Sequence, residues 1–348
     1  MLGSQEILII LGVSFIGGIA TFLSTPRIKI FLERIGIVGI DQQKRKKPVV
    51  ATSAGIPLLV GFLTSICLLI FIDKFIFGLG LDTEKIFAST LSIFIALFIG
   101  MMDDINVRQR KVLQKRYKIK EYRVGLKPWQ KPLLTLSVAV PLMVVRSGVT
   151  EMCIPFFGSV DFGLFYNLVL VPIAVVCVTN AYNFLAGMNG LESGLGIVAF
   201  SSLLLFSIIN SRLEACVLSA TILLALIAFI RYNWYPAKFL PGDSLTYMLG
   251  ATYVSIVIIG NMEKFGILLF IPWIIEAFLK LRSKFKARSL GNLRGDGTLE
   301  APYDKIYSLT HIVMKAGRFR EKEITLTLIS FELLIAALSF LLVFSGVV

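Results

Sequence analysis

"NAYNFLAGMNGLESG", residues 180–194, packs three asparagines, three glycines and a glutamate into fifteen positions. The flanks are different in kind: "LFYNLVLVPIAVVCVT" (164–179) before it and "LGIVAFSSLLLFSII" (195–209) after it are apolar enough to lie in hydrocarbon. A turn between two helices needs two or three polar residues, so this density of hydrogen-bonding groups points to something held there. The flanks decide the fold class. Roughly 20 predominantly apolar residues span a bilayer, fewer where neighbours shelter the helix, and ten blocks approach or reach that length: about 7–25, 55–72, 86–102, 132–145, 164–183, 194–209, 215–230, 244–260, 265–281 and 324–346. The chain is 56% hydrophobic with only 16% charged residues, and its 27 phenylalanines fall largely in these blocks. The expected fold is an all-α polytopic membrane protein, one domain over residues 1–348, built as a bundle of about ten helices. The fourth, sixth and seventh blocks are short, and Pro132 and Pro141 leave the fourth open to being kinked or partly re-entrant.

No basic region precedes the first block and no Ala-x-Ala site follows it, so it reads as a retained helix rather than a cleaved signal. Cys67, Cys153, Cys177 and Cys216 are scattered and give neither metal spacing nor a disulfide framework. Charge sets the expected orientation. With the N-terminus outside, the inner loops are 26–54, 103–131, 184–193, 231–243 and 280–323, and they carry 30 of the 35 Lys and Arg residues. That asymmetry predicts both termini outside and the large loops in the cytosol, among them a short hairpin and an amphipathic helix. A net charge of +13 held on that face suits anionic headgroups and phosphate ligands, and no fold for nucleic acid accompanies it.

Every chemically unusual stretch falls on the same side. "VGIDQQKRKKPVVATSAGIP" (38–57) leads into the second block, "FIGMMDDINVRQRK" (98–111) closes the third, and the opening stretch closes the fifth. "KFLPGDSLTY" (238–247) opens the eighth, and "KFKARSLGNLRGDGTLEAPYDKIYSLTHIVMK" (284–315) joins the ninth and tenth. A transporter for an anionic metabolite, the reading from another class, would place critical polar groups near the midplane in two related halves. No internal repeat is visible here. A non-catalytic scaffold would have no need of Asp103, Asp104 and Asp243 on one face. Interfacial polar groups suit an enzyme that joins a soluble substrate to a lipid.

Two adjacent carboxylates at a membrane interface repel, so a cation between Asp103 and Asp104 is the expected remedy. With Asp243 and Asn183 they suggest Mg²⁺, which takes oxygen ligands and is commonly held by one or two protein groups plus substrate phosphates. Asp243 also reads as a helix N-cap. Asn180 and Asn183 share a face of the fifth block; Gly187 and Gly190 let the backbone pass close to a ligand. Asn189 offers both a donor and an acceptor to a polar, planar ligand. Glu276 and Lys280, four apart, read as a structural pair.

Taken together these motifs resemble the polyprenyl-phosphate N-acetylhexosamine-1-phosphate transferase family, membrane enzymes of glycosyltransferase family 4 type with ten helices. "NAYNFLAGMNGLE" is similar to the dolichyl-phosphate GlcNAc-1-phosphate branch of archaea and eukaryotes. The resemblance implies transfer of GlcNAc-1-phosphate from UDP-GlcNAc to a polyprenyl (dolichyl) phosphate with release of UMP, the first membrane step of N-glycan assembly. It also implies sensitivity to tunicamycin, a cell-membrane or endoplasmic-reticulum location, and a homodimer as an assembly to test. A bacterial-type undecaprenyl-phosphate sugar-1-phosphate transferase is the alternative within the family. Carried over by position, Asp103, Asp104 and Lys131 are implied as catalytic, and Asn183 and Asp243 as ligands of Mg²⁺, with Mn²⁺ as a substitute. Gly187 and Asn189 are implied to hold uracil, and Lys286 and Arg288 to clamp the diphosphate and sugar. Asn180 and Glu192, at the ends of the motif, complete the implied substrate-binding set with Leu240, which stands where relatives have a phenylalanine stacked on uracil. The single histidine, His311, reads as a packing residue of an amphipathic segment.

Overall fold

A computed structural model describes residues 2–105, 110–112, 120–122, 125–154 and 158–346. Part of the basic loop expected over 103–131 (106–109, 113–119 and 123–124, including Asn106 of the Asp-Asp motif) lies outside the described residues. The first block becomes α1 (Ser4–Ile35), longer than expected because it runs through Pro26. A proline inside a helix leaves the carbonyl four residues earlier without its N–H. Here Phe22 O is that carbonyl, and the Tyr232 hydroxyl donates to it at 3.3 Å, so the helix continues. The hairpin β1 (Val38–Ile40) and β2 (Val49–Ala51) follows, in antiparallel register with Gly39 opposite Val50.

Next come α2 (Gly55–Ile72), extended by a π turn over Asp73–Phe77, and α3 (Thr83–Ile105). The hairpin β3 (Arg110–Val112) and β4 (Lys120–Tyr122) precedes α4 (Gln130–Val144). The α4 helix is continuous: Pro132 sits in its first turn, where a missing N–H costs nothing, and Pro141 lies in its last. A third hairpin, β5 (Glu151–Ile154) with β6 (Gly158–Asp161), leads through a π turn (Tyr166–Leu170) into α5 (Val171–Phe184). The chain then forms α6 (Leu191–Ile209), α7 (Leu213–Asn233) and α8 (Gly242–Ile259).

The ninth block is not one helix. It divides into α9 (Glu263–Leu269) and α10 (Ile271–Leu281), separated at Phe270, one residue short of the turn that holds Pro272. A hairpin of β7 (Asn292–Leu293) and β8 (Leu299–Glu300) precedes the amphipathic α11 (Leu309–Ala316) and the long α12 (Glu321–Phe344). Among the described residues eight helical segments are long and apolar enough to cross a membrane; α4 and the α9–α10 pair complete the ten expected blocks as shorter helices.

The helices alternate in direction. The beginning of α1 meets the end of α6, where Leu2 N–H donates to Ile208 O at 3.3 Å. The end of α12 meets the same place, with the Phe344 ring 6.0 Å from Phe206. Both chain ends therefore lie at one end of the bundle, and the polar motifs gather at the other. The α8 helix is central: every residue from Ser244 to Ile259 is buried, as expected for a helix apolar on all faces. Large apolar side chains such as Phe15, Ile19, Leu133, Phe278 and Leu341 are exposed around the outside, a belt suited to lipid. Where α1 crosses α2, Gly17 lies against Ser65 and Gly61 against Thr21. A methyl group at either glycine would collide with that neighbour, the small-residue packing typical of membrane helices.

Candidate active site

The polar end is organised around the first turn of α8. Gly242 has a φ of +68°, and a Cβ there would meet Asp104 and Thr52. That conformation favours glycine, and the close approach leaves no room for another residue. Asp104 of α3 then accepts the backbone N–H of Asp243 (2.9 Å) and of Ser244 (3.1 Å), and the Ser53 hydroxyl at 2.6 Å. A carboxylate from another helix thus satisfies N–H groups left open at the start of α8 and meets its positive dipole end. Gly100 of α3 and Gly55 of α2 make the approach possible, since a Cβ on either would press on the backbone of Asp243 or Ser244.

Two expectations change here. The cap of α8 is Asp104 rather than Asp243, because the Asp243 carboxylate points away from its own backbone. Asp103 and Asp104 do not converge on a shared point between them, because successive residues on a helix point about 100° apart. Asp104 faces α8; Asp103 faces Lys131 at the start of α4. Lys131 Nζ lies 2.8 Å from Asp103 Oδ2 and 2.6 Å from Asp243 Oδ2, so one ammonium joins three helices. Asn183 Nδ2 donates to Asp243 Oδ2 at 3.2 Å, and Asn183 Oδ1 accepts from Thr246.

A cavity of about 540 Å³ opens beside this cluster, lined by Asp104, Asn183, Gly187, Asn189, Glu192, Leu240, Asp243 and Arg288 among others. Most of the expected site residues therefore share one chamber. Gly187 and Gly190 both take positive φ, +107° and +80°, which gives the glycines a backbone reason as well as a steric one. Glu192 accepts the Gly187 N–H at 2.6 Å through one oxygen and leaves the other without a hydrogen-bond partner among the described residues. Asn189 differs from expectation. Its Oδ1 accepts the Ala237 N–H at 2.9 Å, so the pair of groups expected to face a ligand reduces to the Nδ2 donor.

Asp103 and Lys131 belong to the cluster beside the cavity and do not line it. Three further residues stand apart. Asn180 donates to Thr135 (2.9 Å) and Val176 O (2.8 Å) and accepts from Tyr247 (3.3 Å), tying α4, α5 and α8 together outside the polar cavity. Lys286 is exposed and does not line the cavity, whereas Arg288, two residues on, does. His311 is fully buried in α11, where burial and the nearby Lys280 ammonium push its imidazole down to about 4. It is neutral near pH 7, in keeping with a packing role. Glu276 and Lys280 do pair, at 3.7 Å, and Lys280 also donates to Ser289 (2.7 Å) and Ala287 O (3.0 Å), anchoring the loop that carries Arg288.

A second, apolar groove of about 660 Å³ runs along α5, α8, α9 and α10. It extends from Phe285 and Leu281 beside the polar cavity to Tyr166 and Glu263 at the far end of the bundle. Phe184 and Phe285, with ring centroids 5.3 Å apart, line both spaces.

Oxygen donors suited to Mg²⁺ are present. Adjacent ligands of an octahedral ion at about 2.1 Å lie about 3 Å apart, close to the 3.2 Å between the Asn183 amide and Asp243. Turning that amide over presents its oxygen, an assignment that the hydrogen-bond network decides. Asp103, Asp243 and Lys131 together leave one negative charge in excess. Among the described residues no three acidic, histidine or cysteine side chains converge as a closed metal cage. An ion here would take Asp243 and Asn183 from the protein and the rest of its ligands from phosphate and water.

Sequence reasoning missed the supports of this site. Ser53 and Gly100 sit inside quoted motifs but carry no chemistry alone. Thr135 and Tyr247 reveal their purpose only through Asn180, which they hold.

This architecture, a ten-block helical bundle with carboxylates, asparagines and a lysine at one end beside an apolar groove, defines a membrane-embedded transferase. The model of glycosyl transferase family 4 matches residues 86–261, from α3 to the end of α8, and the chain belongs to that family. It is 34% identical over 309 residues, 88% of each chain, to a putative UDP-N-acetylglucosamine–dolichyl-phosphate N-acetylglucosaminephosphotransferase of Saccharolobus solfataricus. It is 24% identical to the enzyme of that name from Dictyostelium discoideum, over 94% of this chain and 86% of the relative. A phospho-N-acetylmuramoyl-pentapeptide-transferase of Listeria monocytogenes is 29% identical over 68% of this chain and 70% of its own.

Proposed function

We propose that the protein transfers GlcNAc-1-phosphate from UDP-GlcNAc to a dolichyl-type polyprenyl phosphate, releasing UMP. The observation that carries this reading is the shared wall at Phe184 and Phe285, which sets a polar cavity directly against an apolar groove. The nucleotide sugar takes the first and the isoprenoid chain the second, and their phosphates meet near Lys131 and Asp243. The wider likeness to the dolichyl-phosphate enzymes favours this acceptor over undecaprenyl phosphate.

An oxygen of the lipid phosphate attacks the sugar-linked phosphorus. The bond from that phosphorus to the oxygen bridging it to UMP breaks, and UMP leaves with the electron pair. A phosphate monoester has a second pKa of about 6, so the nucleophile is already mostly dianionic near pH 7 and a general base adds little. The greater obstacle is repulsion between a dianion and a diphosphate. Lys131 is held rigidly by two carboxylates and meets the incoming phosphate with a fixed ammonium; Arg288 at the cavity wall offers a planar pair of donors. Asp243 and Asn183 would hold Mg²⁺, or Mn²⁺ in its place, and a bound ion would supply further charge neutralisation there. Asp103 keeps Lys131 aimed at the reacting phosphorus. The Nδ2 of Asn189 donates to a base carbonyl. The loop charge asymmetry supports a cytosolic position for this end of the bundle.

Purified protein incubated with UDP-GlcNAc and dolichyl phosphate should yield UMP and a lipid product with the mass of dolichyl-diphosphate-GlcNAc. Release of UDP in place of UMP would mean transfer of the sugar without its phosphate and would end this reading. Tunicamycin should block the reaction, and chelation of divalent ions should stop it reversibly.

A further inference from the structure

Behind the polar cavity, three residues that do not line it hold its wall together. Gln43, buried in the loop between β1 and β2, donates from Nε2 to Gly187 O at 3.1 Å and accepts the Gly291 N–H on Oε1 at 3.2 Å. One side chain thus joins the turn after α5 to the loop after α10. Beside it, the Lys44 ammonium pairs with Asp41 at 3.2 Å and with Glu321 at the first position of α12, and lies 4.4 Å over the Tyr235 ring. Glu321 is buried, and its Oε1 accepts the Asn189 N–H at 2.8 Å. Four residues on along α12, Thr325 donates to Asn189 O at 3.3 Å. Both backbone polar groups of Asn189 are therefore held by α12, and its side-chain oxygen by Ala237. Its Nδ2 is left with a single direction in which to point.

We propose that Gln43, Lys44 and Glu321 form a clasp that positions Asn189 for reading the nucleotide base. None of the three is required to touch the substrate. Glu321 fixes the Asn189 peptide; Lys44 supplies the counter-charge that offsets the cost of burying the Glu321 carboxylate. Gln43 keeps the Gly187 turn and the Arg288 loop at one separation, so base and phosphates are gripped in a single register. The fixed amide is a donor only. It matches the carbonyl at the 4-position of uracil and opposes the amino group that cytosine carries there. The clasp is thus a specificity-determining device, and it rests on the proposed uridine nucleotide.

The test measures binding of UMP and CMP to the purified full chain by calorimetry, alongside KM and kcat for UDP-GlcNAc. Wild type should prefer UMP. Lys44→Met and Glu321→Ala should each raise KM and weaken UMP binding about ten-fold, the size of one lost hydrogen bond, and reduce the UMP-to-CMP preference by a similar factor. Their kcat should stay within about three-fold, since the phosphate-facing groups are untouched. Lys44→Arg keeps the charge and should restore the preference, and Glu321→Gln, which retains an acceptor for Asn189, should lose less than Glu321→Ala. Gln43→Ala should weaken UMP and CMP alike. A protein in which Lys44→Met and Glu321→Gln both fold and bind with wild-type affinity and preference has no such clasp. Loss of kcat and binding together, with no change in the UMP-to-CMP ratio and no rescue by Lys44→Arg, would reduce the clasp to a stability element and overturn the proposal. Wild type that binds neither nucleotide would overturn both this proposal and the function it rests on.

Discussion

Lys131 Nζ and Asp243 Oδ2 lie 2.6 Å apart although 112 residues separate them in the chain. The contact joins the start of α4 to the start of α8, and Asp103 closes the arrangement from α3. A lysine held this way is poorly replaced by a neutral residue, because removing it leaves two carboxylates facing each other across a partly desolvated space. Lys131→Met should lower kcat by about 10² or more, the scale of a lost electrostatic contact in a transition state. Lys131→Arg should recover part of it. Steady-state kinetics with UDP-GlcNAc checks this, and a Lys131→Met enzyme with wild-type kcat would remove the residue from the reaction.

Asp243→Ala should be as damaging and for a further reason, since it removes both a partner of Lys131 and the carboxylate proposed to hold Mg²⁺. The informative readout is the metal dependence. Asp243→Asn keeps the shape and an oxygen donor, so raised Mg²⁺ should restore more activity to it than to Asp243→Ala. Indifference of both variants to Mg²⁺ concentration would argue that the ion binds elsewhere.

Asp104 predicts a different phenotype. Its carboxylate accepts two backbone N–H groups and the Ser53 hydroxyl, and it is buried. Asp104→Ala leaves the start of α8 uncapped, an effect worth about 1–2 kcal/mol of stability in comparable caps. It should therefore lower the thermal midpoint as well as kcat, whereas Lys131→Met should chiefly lower kcat. Equal midpoints for Asp104→Ala and wild type, measured in the same detergent, would contradict the capping role.

The sequence made the bundle legible because membrane crossing writes itself as apolar length, and the ten blocks recur as helices or broken helices. It also placed the polar motifs at one end. What stayed hidden was pairing. Asp103 and Asp104 look equivalent in a line of letters, yet a turn of about 100° sends one to a lysine and the other to a helix end. The break at Phe270 was masked by a run that stays apolar on both sides of Pro272. Glu321 gave no sign at all: it sits in the charge run "RFREKE" (318–323), and only the folded chain brings it to Asn189.

His311 offers a test by pH. Its imidazole titrates near 4 in the folded chain against about 6.5 when exposed. Between those values the unfolded chain binds a proton that the folded chain does not, so stability falls as pH drops from about 6.5 towards 4 and is unaffected by this group above that range. His311→Gln should flatten the thermal midpoint across that window and leave kcat at pH 7 within about three-fold, because an imidazole of such low basicity is a weak base and is not protonated to serve as an imidazolium acid at pH 7. A large loss of kcat at neutral pH, with the midpoint preserved, would give the histidine a chemical role.

Two of the three asparagines of the opening stretch, Asn183 and Asn189, should fail in different ways, because the structure turns them to different tasks. Asn183 touches Asp243 and Thr246 at the end of the cavity proposed for the phosphates, while Asn189 is locked by Ala237 with only its Nδ2 left to offer. Asn183→Ala should lower kcat, with partial recovery at high Mg²⁺. Asn189→Ala should mainly raise KM for UDP-GlcNAc and erode discrimination against cytidine nucleotides, since it deletes a donor aimed at one base carbonyl. Asn189→Asp is the sharper variant. It replaces that donor with an acceptor and sets a carboxylate oxygen where the uracil carbonyl should lie, so it should bind UMP more weakly than Asn189→Ala. If instead Asn189→Asp retains UMP affinity and Asn189→Ala does not, the residue accepts a hydrogen bond from the base, and the side-chain amide must turn over when the nucleotide enters.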